Sequence, residues 1–177
     1  MDVGLHNLAD FPWETNQEFQ SCIKQSLLTV LKAYVDFGFF HKDCHSRNFI
    51  IKKTSKSHRE YIIDDHKITI PLYGYETFMM DLEDSLQNQS ATQLYTDLWE
   101  FCYKIVSQMN EKIDARSNRR NTEKLEDMKR ARPPPPLNTN SLLLLIDSIS
   151  QSIVLKQSKV EGGRYKLPWR MRRRKTK

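Results

Sequence analysis

Apolar residues recur at spacings of three and four from Phe19 through Cys22, Ile23, Leu27, Val30 and Leu31 to Tyr34. Positions so spaced share one face of an α-helix, and the pattern predicts a helix over residues 16–37. Thr15 or Asn16 can cap its start, Glu18 falls in the first turn, and Gly38 supplies a left-handed stop. The periodicity then changes. Phe49 to Lys52 is a short β-type run, and Lys53 to Arg59 is a polar turn region. Tyr61-Ile62-Ile63 and Lys67-Ile68-Thr69-Ile70 flank Asp64-Asp65 as the arms of a hairpin. After the break at Tyr73-Gly74, a further run, Thr77-Phe78-Met79-Met80, ends at Asp81. Helical spacing returns at Leu94, Leu98, Phe101, Cys102, Ile105 and Met109, which predicts a second helix over residues 94–110.

Residues 111–140 mix charges of both signs with few large apolar groups and contain Pro133 to Pro136, which favour polyproline II. This composition predicts an exposed excursion or linker with a helical start. A last helix over residues 141–155 returns apolar surface to the domain. The expected organisation is a core over 1–110, an insertion over 111–140, a helix of the same lobe within 141–157, and a basic tail over 158–177. The expected fold class is α+β, mainly helical with small β elements.

Composition changes this picture little, but charge changes it at one end. The chain of 177 residues, 28% charged and 38% hydrophobic, suits one domain with extensions. Arg164 to Lys177 holds eight Lys and Arg and no acid, which exceeds the formal net charge of +6, so the remainder is slightly acidic. The tail suits a solvated extension, a nuclear-import signal or a non-specific nucleic-acid or polyanion contact, with Tyr165 and Trp169 available for stacking on bases. Cys22, Cys44 and Cys102 are odd in number and far apart, which argues against a disulfide framework and for a reducing compartment. The first residues form neither a basic nor an apolar signal region, and the longest aliphatic run, Leu142 to Ile146, is too short to span a membrane. An intracellular site, cytoplasmic or nuclear, is expected.

The candidate chemistry sits between the first helix and the first strand, in Phe39-Phe40-His41-Lys42-Asp43-Cys44-His45-Ser46-Arg47-Asn48. Phosphoryl transfer needs a carboxylate beside the acceptor hydroxyl and a metal ion bridging the nucleotide phosphates. Asp43 suits the first task. Asn48, five residues on, suits a carbonyl oxygen offered to Mg²⁺, and Asp81 at a strand end suits a second oxygen ligand. His41, Asp43, Cys44 and His45 are also residue types that ligate zinc, but His58 and His66 do not form a second pair at zinc-site spacing.

Helix, His-x-Asp-x-x-x-x-Asn loop, strand, strand ending in Asp81, and a helix bearing Asp97-Leu98-Trp99 follow in that order over residues 10–110. In this the sequence resembles the C-terminal lobe of the protein kinase-like superfamily. The Asp43-x-His45-x-x-Asn48 form and the phrase Phe37 to His45 are similar to haspin-like and large-DNA-virus kinase-like proteins. The resemblance implies His41 as the loop-packing histidine and Asp43 as the catalytic base, with His45 in the same catalytic set. It implies Asn48 and Asp81 as Mg²⁺ ligands, ATP as the phosphoryl donor, Asp97 as a brace of the loop backbone, and a protein as substrate or regulatory partner. Asp81-Leu82-Glu83 stands where the family has Asp-Phe-Gly, and Lys42 stands where it has Arg. These residues contain no Gly-x-Gly-x-x-Gly loop and no Val-Ala-Ile-Lys strand, so the nucleotide-binding lobe is lacking from them. Two functions are therefore expected. One is a Ser/Thr-type phosphotransferase completed by a nucleotide lobe, and the other is an inactive kinase-like scaffold.

Overall fold

The structure, a computed structural model, describes residues 6–86, 91–109, 111–130 and 138–156. Pro133 to Pro136 and the basic tail lie outside these residues. The fold is α+β, with more helix than strand.

Helix α1 (Asn16–Phe37) is the longest of the described helices. Thr15, not Asn16, is its cap: its Oγ1 accepts from the Glu18 amide at 3.2 Å, and Glu18 Oε2 accepts from the Thr15 amide at 3.0 Å. This reciprocal pairing satisfies two of the donors that a helix start leaves open. Gly38 closes the other end at φ 61°, donating to Tyr34 O at 2.7 Å. Side chains with a Cβ are strained in this left-handed conformation. Between these stops α1 buries Phe19, Cys22, Ile23, Leu27, Leu28, Val30 and Leu31. Each large aliphatic side chain so buried contributes about 1.5–3 kcal/mol relative to exposure.

A three-stranded antiparallel sheet in the order β1-β2-β5 lies against α1. Its strands are β1 (His6–Asn7), β2 (Phe49–Lys53) and β5 (Tyr75–Met79), and β1 pairs Asn7 with Ile50. In β2, Phe49 and Ile51 are buried while Lys52 and Lys53 are exposed. The intervening hairpin joins β3 (His58–Ile63) to β4 (His66–Pro71), and Asp64 takes φ 49° at the turn. Aspartate is among the few side chains that tolerate this conformation.

Strand β5 is the edge of its sheet, and a side chain of α1 completes it. The Gln25 carboxamide accepts from the Thr77 amide at 3.0 Å and donates to Tyr75 O at 3.1 Å. It therefore pairs with the β5 backbone much as another strand would, and Gln25 is fully buried as a result.

Helix α2 (Ala91–Gln108) begins three residues before the first predicted position, and α4 (Thr139–Ser152) is capped by Asn138 through Ser141. The region predicted as an exposed excursion or linker with a helical start is more ordered at that start than a single turn. Residues Ala115–Arg130 form a full helix, α3, that meets both α2 and α4. Its inward stripe is Ser117, Asn121 and Leu125, spaced four apart. Ser117 Oγ donates to Ser152 O at 2.7 Å, Asn121 Nδ2 donates to Ser152 O at 3.2 Å, and Trp99 Nε1 donates to Leu125 O at 2.8 Å. Asp114 Oδ1 caps the helix by accepting from the amides of Arg116 and Ser117, each at 3.0 Å. Large apolar residues are few in α3, so an apolar stripe of the kind that marks α1 is nearly missing from its sequence. Among the described residues no helix is long and apolar enough to cross a membrane.

Candidate functional site

The loop from Phe40 to Asn48 is held at both ends by backbone pairing. Phe40 and Leu86 exchange two hydrogen bonds of 2.9 Å, closing the segment that contains β2 to β5. At the other end, the Met80 amide donates to Asn48 O at 2.8 Å. Between them lies His41, only 1% exposed, with Nε2 2.9 Å from Met80 O. A carbonyl can only accept, so Nε2 carries the proton. His41 thus joins the loop of Asp43 to the strand end that delivers Asp81.

The turn itself is built around His45 and Asn48. His45 caps a single 3₁₀ turn, Ser46–Asn48, with Nδ1 accepting from the Arg47 amide at 3.2 Å. That bond leaves the proton of neutral His45 on Nε2, which lies 3.2 Å from Asp43 Oδ2. Asn48, 7% exposed, donates from Nδ2 to Asp43 O at 3.0 Å. The two donors of the turn therefore fix the carboxylate and the carbonyl of the same aspartate.

The Asp43 carboxylate has a second partner, supplied by α2. Lys104 Nζ lies 3.0 Å from Asp43 Oδ1, and its next carboxylate, Glu100, is 3.9 Å away. This charged hydrogen bond is the main reason the Asp43 carboxyl titrates below the ordinary carboxylate range; desolvation opposes it, and the charges of His45, Lys104 and His41 add to it in turn. Ser46 Oγ also reaches α2, donating to Gln108 Oε1 at 2.9 Å. Sequence reasoning missed Lys104, Ser46 and Gln108. No local spacing could find them, because 61 and 62 residues separate the partners.

Lys42 at φ 70° and Asp81 at φ 59° are in the left-handed region, on either side of the His41–Met80 bond. The other two non-glycine residues of this kind among the described residues, Asp64 and Tyr73, sit at turns. For Lys42 such strain costs about 1–3 kcal/mol and is retained where surrounding structure enforces it, while an aspartate such as Asp81 bears it more readily. Asp81 is exposed, as are Leu82, Glu83 and Asp84.

The structure thus brings Asp43, His45 and Asn48 into mutual contact and ties His41 and the backbone beside Asp81 to them. Asp97 falls within α2, but its side chain lies outside the described residues. Among the described residues no group of three or more His, Cys, Asp and Glu side chains is gathered as a metal site. His41 and Cys44 are instead buried in the loop's interior. Comparison with protein-family models and with curated proteins finds no match to this chain.

Proposed function

We propose that residues 10–110 form the acceptor-side lobe of a protein kinase-like phosphotransferase, acting on a Ser or Thr hydroxyl of a protein and completed by a nucleotide-binding lobe. The observation that carries this reading is the pair of bonds around Met80. His41 holds its carbonyl and Asn48 O holds its amide, so the loop of Asp43 and Asn48 and the start of the Asp81 segment share one backbone junction.

The donor chemistry suits Mg²⁺. Asn48 spends its amide nitrogen on Asp43 O, which leaves Oδ1 as the end available to a metal, and the Asp81 carboxylate is exposed. Mg²⁺ commonly takes one or two protein oxygens and fills its shell with phosphate oxygens and water. Bound Mg²⁺-ATP would supply the phosphoryl group and the neutralisation of its charge. The protein's part is position: Asp43 accepts the hydrogen bond of the acceptor hydroxyl and takes up its proton, while His45 and Lys104 keep the carboxylate ionised and oriented.

Thermal unfolding of the full chain tests the reading. Millimolar Mg²⁺-ATP should raise the melting temperature, and Asp81→Asn, which keeps a side chain tolerant of the left-handed conformation, should reduce the rise while leaving the ligand-free melting temperature nearly unchanged. No rise in the wild-type chain would remove autonomous nucleotide binding and leave a second reading, an inactive kinase-like scaffold. Two observations favour that alternative. A carboxylate paired with Lys104 is a weak proton acceptor, and exposed Phe78, Met80, Leu82 and Leu86 next to the site suit cover by a partner polypeptide.

A further inference from the structure

Helix α3 fixes three arginines in a way that the phosphotransfer reading does not use. Its inward stripe is clamped to Ser152, Val154 and Trp99, which sets the rotation of the helix about its axis. Arg116, Arg119 and Arg120 consequently face outward, and all three are exposed. Among the described residues none of them has a carboxylate oxygen within 4.0 Å. Surface arginines usually relieve their charge on neighbouring acids where these are near. Here Asp114, two residues before Arg116, spends Oδ1 on the helix amides.

The arginines also share concave surface. Two clefts of about 400 and 460 Å³ adjoin along α3 and both are lined by Ala115 and Arg119. Lys156 lines the first, with Glu111, and Arg116 and Arg120 line the second, with Glu123. Cations outnumber acids four to two along this surface. Lys156 is also the last described residue, and eight cations follow it in the sequence between Arg164 and Lys177.

We propose that the arginine face of α3 is a docking surface for the phosphate backbone of a nucleic acid. Arginine spacing of three and four residues repeats positive charge every 4.5–6 Å or so along the helix, and each guanidinium can fork onto phosphate oxygens. A membrane surface fits less well. Helices that lie on lipid place an apolar face beside their cations, whereas α3 presents no exposed large apolar side chain among the described residues. The surface reads phosphate and not sequence.

Salt dependence of binding provides the test. A fluorescein-labelled DNA duplex of about 20 base pairs is titrated with the full chain between about 50 and 200 mM salt, and the slope of log K against log salt is taken. Each phosphate that is no longer neutralised reduces the steepness of that slope by about 0.9, so R116Q/R119Q/R120Q should reduce it by about 2 to 3 units and weaken binding at least tenfold at low salt. K52Q/K53Q, which removes two exposed cations from β2, should leave the slope unchanged. All variants should keep the wild-type melting temperature, since the altered side chains are exposed and carry no ion pairs among the described residues. An unchanged slope in the arginine variant overturns the proposal. So does an equal effect per charge in the β2 control, which would mean attraction by net charge alone. Competition by polyglutamate as effective as unlabelled duplex would overturn it too, assigning the surface to an acidic polypeptide instead.

Discussion

Lys104 decides what kind of group Asp43 is. Its hydrogen bond is the largest of the causes that favour the ionised form of this aspartate, whose side chain is 53% exposed. Lys104→Met should raise the Asp43 carboxyl pKa toward the usual value, readable by carboxyl-carbon NMR titration. An unaltered titration would mean that the hydrogen bond does not form in solution. The sign for stability follows from the same shift. A carboxyl depressed by folding stabilises the fold above its unfolded pKa, and that contribution vanishes as pH falls through the folded pKa. Lys104→Met should therefore destabilise at neutral pH and have no such effect in strong acid. The amount is small, because an exposed pair is screened by solvent. Asp43, His45 and Asn48 are readable from sequence because their contacts lie within five residues of one another. Lys104 is not, because a partner 61 residues distant leaves no mark on local spacing.

At the level of elements, α1 and α3 make opposite cases. Every signal that reveals α1 is also what stabilises it: an apolar stripe, a Thr15–Glu18 capping box and a Gly38 stop. The strands and hairpin are equally legible, since period-two burial and a pair of aspartates at a turn are local features. Helix α3 hides behind its polarity. Ser117 and Asn121 occupy the positions that leucine would take in a conventional amphipathic helix, and they bond to the last residue of α4, with Ser117 also meeting Val154 just beyond it. Asn121→Ala removes two side-chain donations and the acceptor of the Ser152 hydroxyl. It should cost about 1–3 kcal/mol, as for buried groups left without partners. The destabilisation should appear as faster hydrogen exchange in α3 than in α1. Equal protection in both helices would show that Leu125 and Ile113 alone hold α3 in place. Residues 6–7 join the sheet unannounced, because two residues are too few for any periodicity.

Over the whole molecule, one buried cluster runs through α1, β2, the β3–β4 hairpin, α2, α3 and α4. The three cysteines report on it from different elements: Cys22 in α1, Cys44 in the loop and Cys102 in α2 are each 0–1% exposed. Burial raises the Cys22 thiol pKa strongly and pushes Cys102 up to about 12, so neither offers a reactive thiolate at neutral pH. A thiol reagent should label none of them in the native protein, and all three should become reactive together at the urea concentration where circular dichroism disappears. Early labelling of Cys44 alone would reveal that the loop opens apart from the core. The Phe40–Leu86 pairing bears on a different kind of challenge, which is mechanical. Its two parallel hydrogen bonds form a bypass across the neck of the segment from His41 to Ser85. Tension carried along the backbone can cross from Phe40 to Leu86 without running through Asp43 or Asp81. A tug on either end, from a translocating machine or a bound polymer, would load this clasp before it distorted the residues inside.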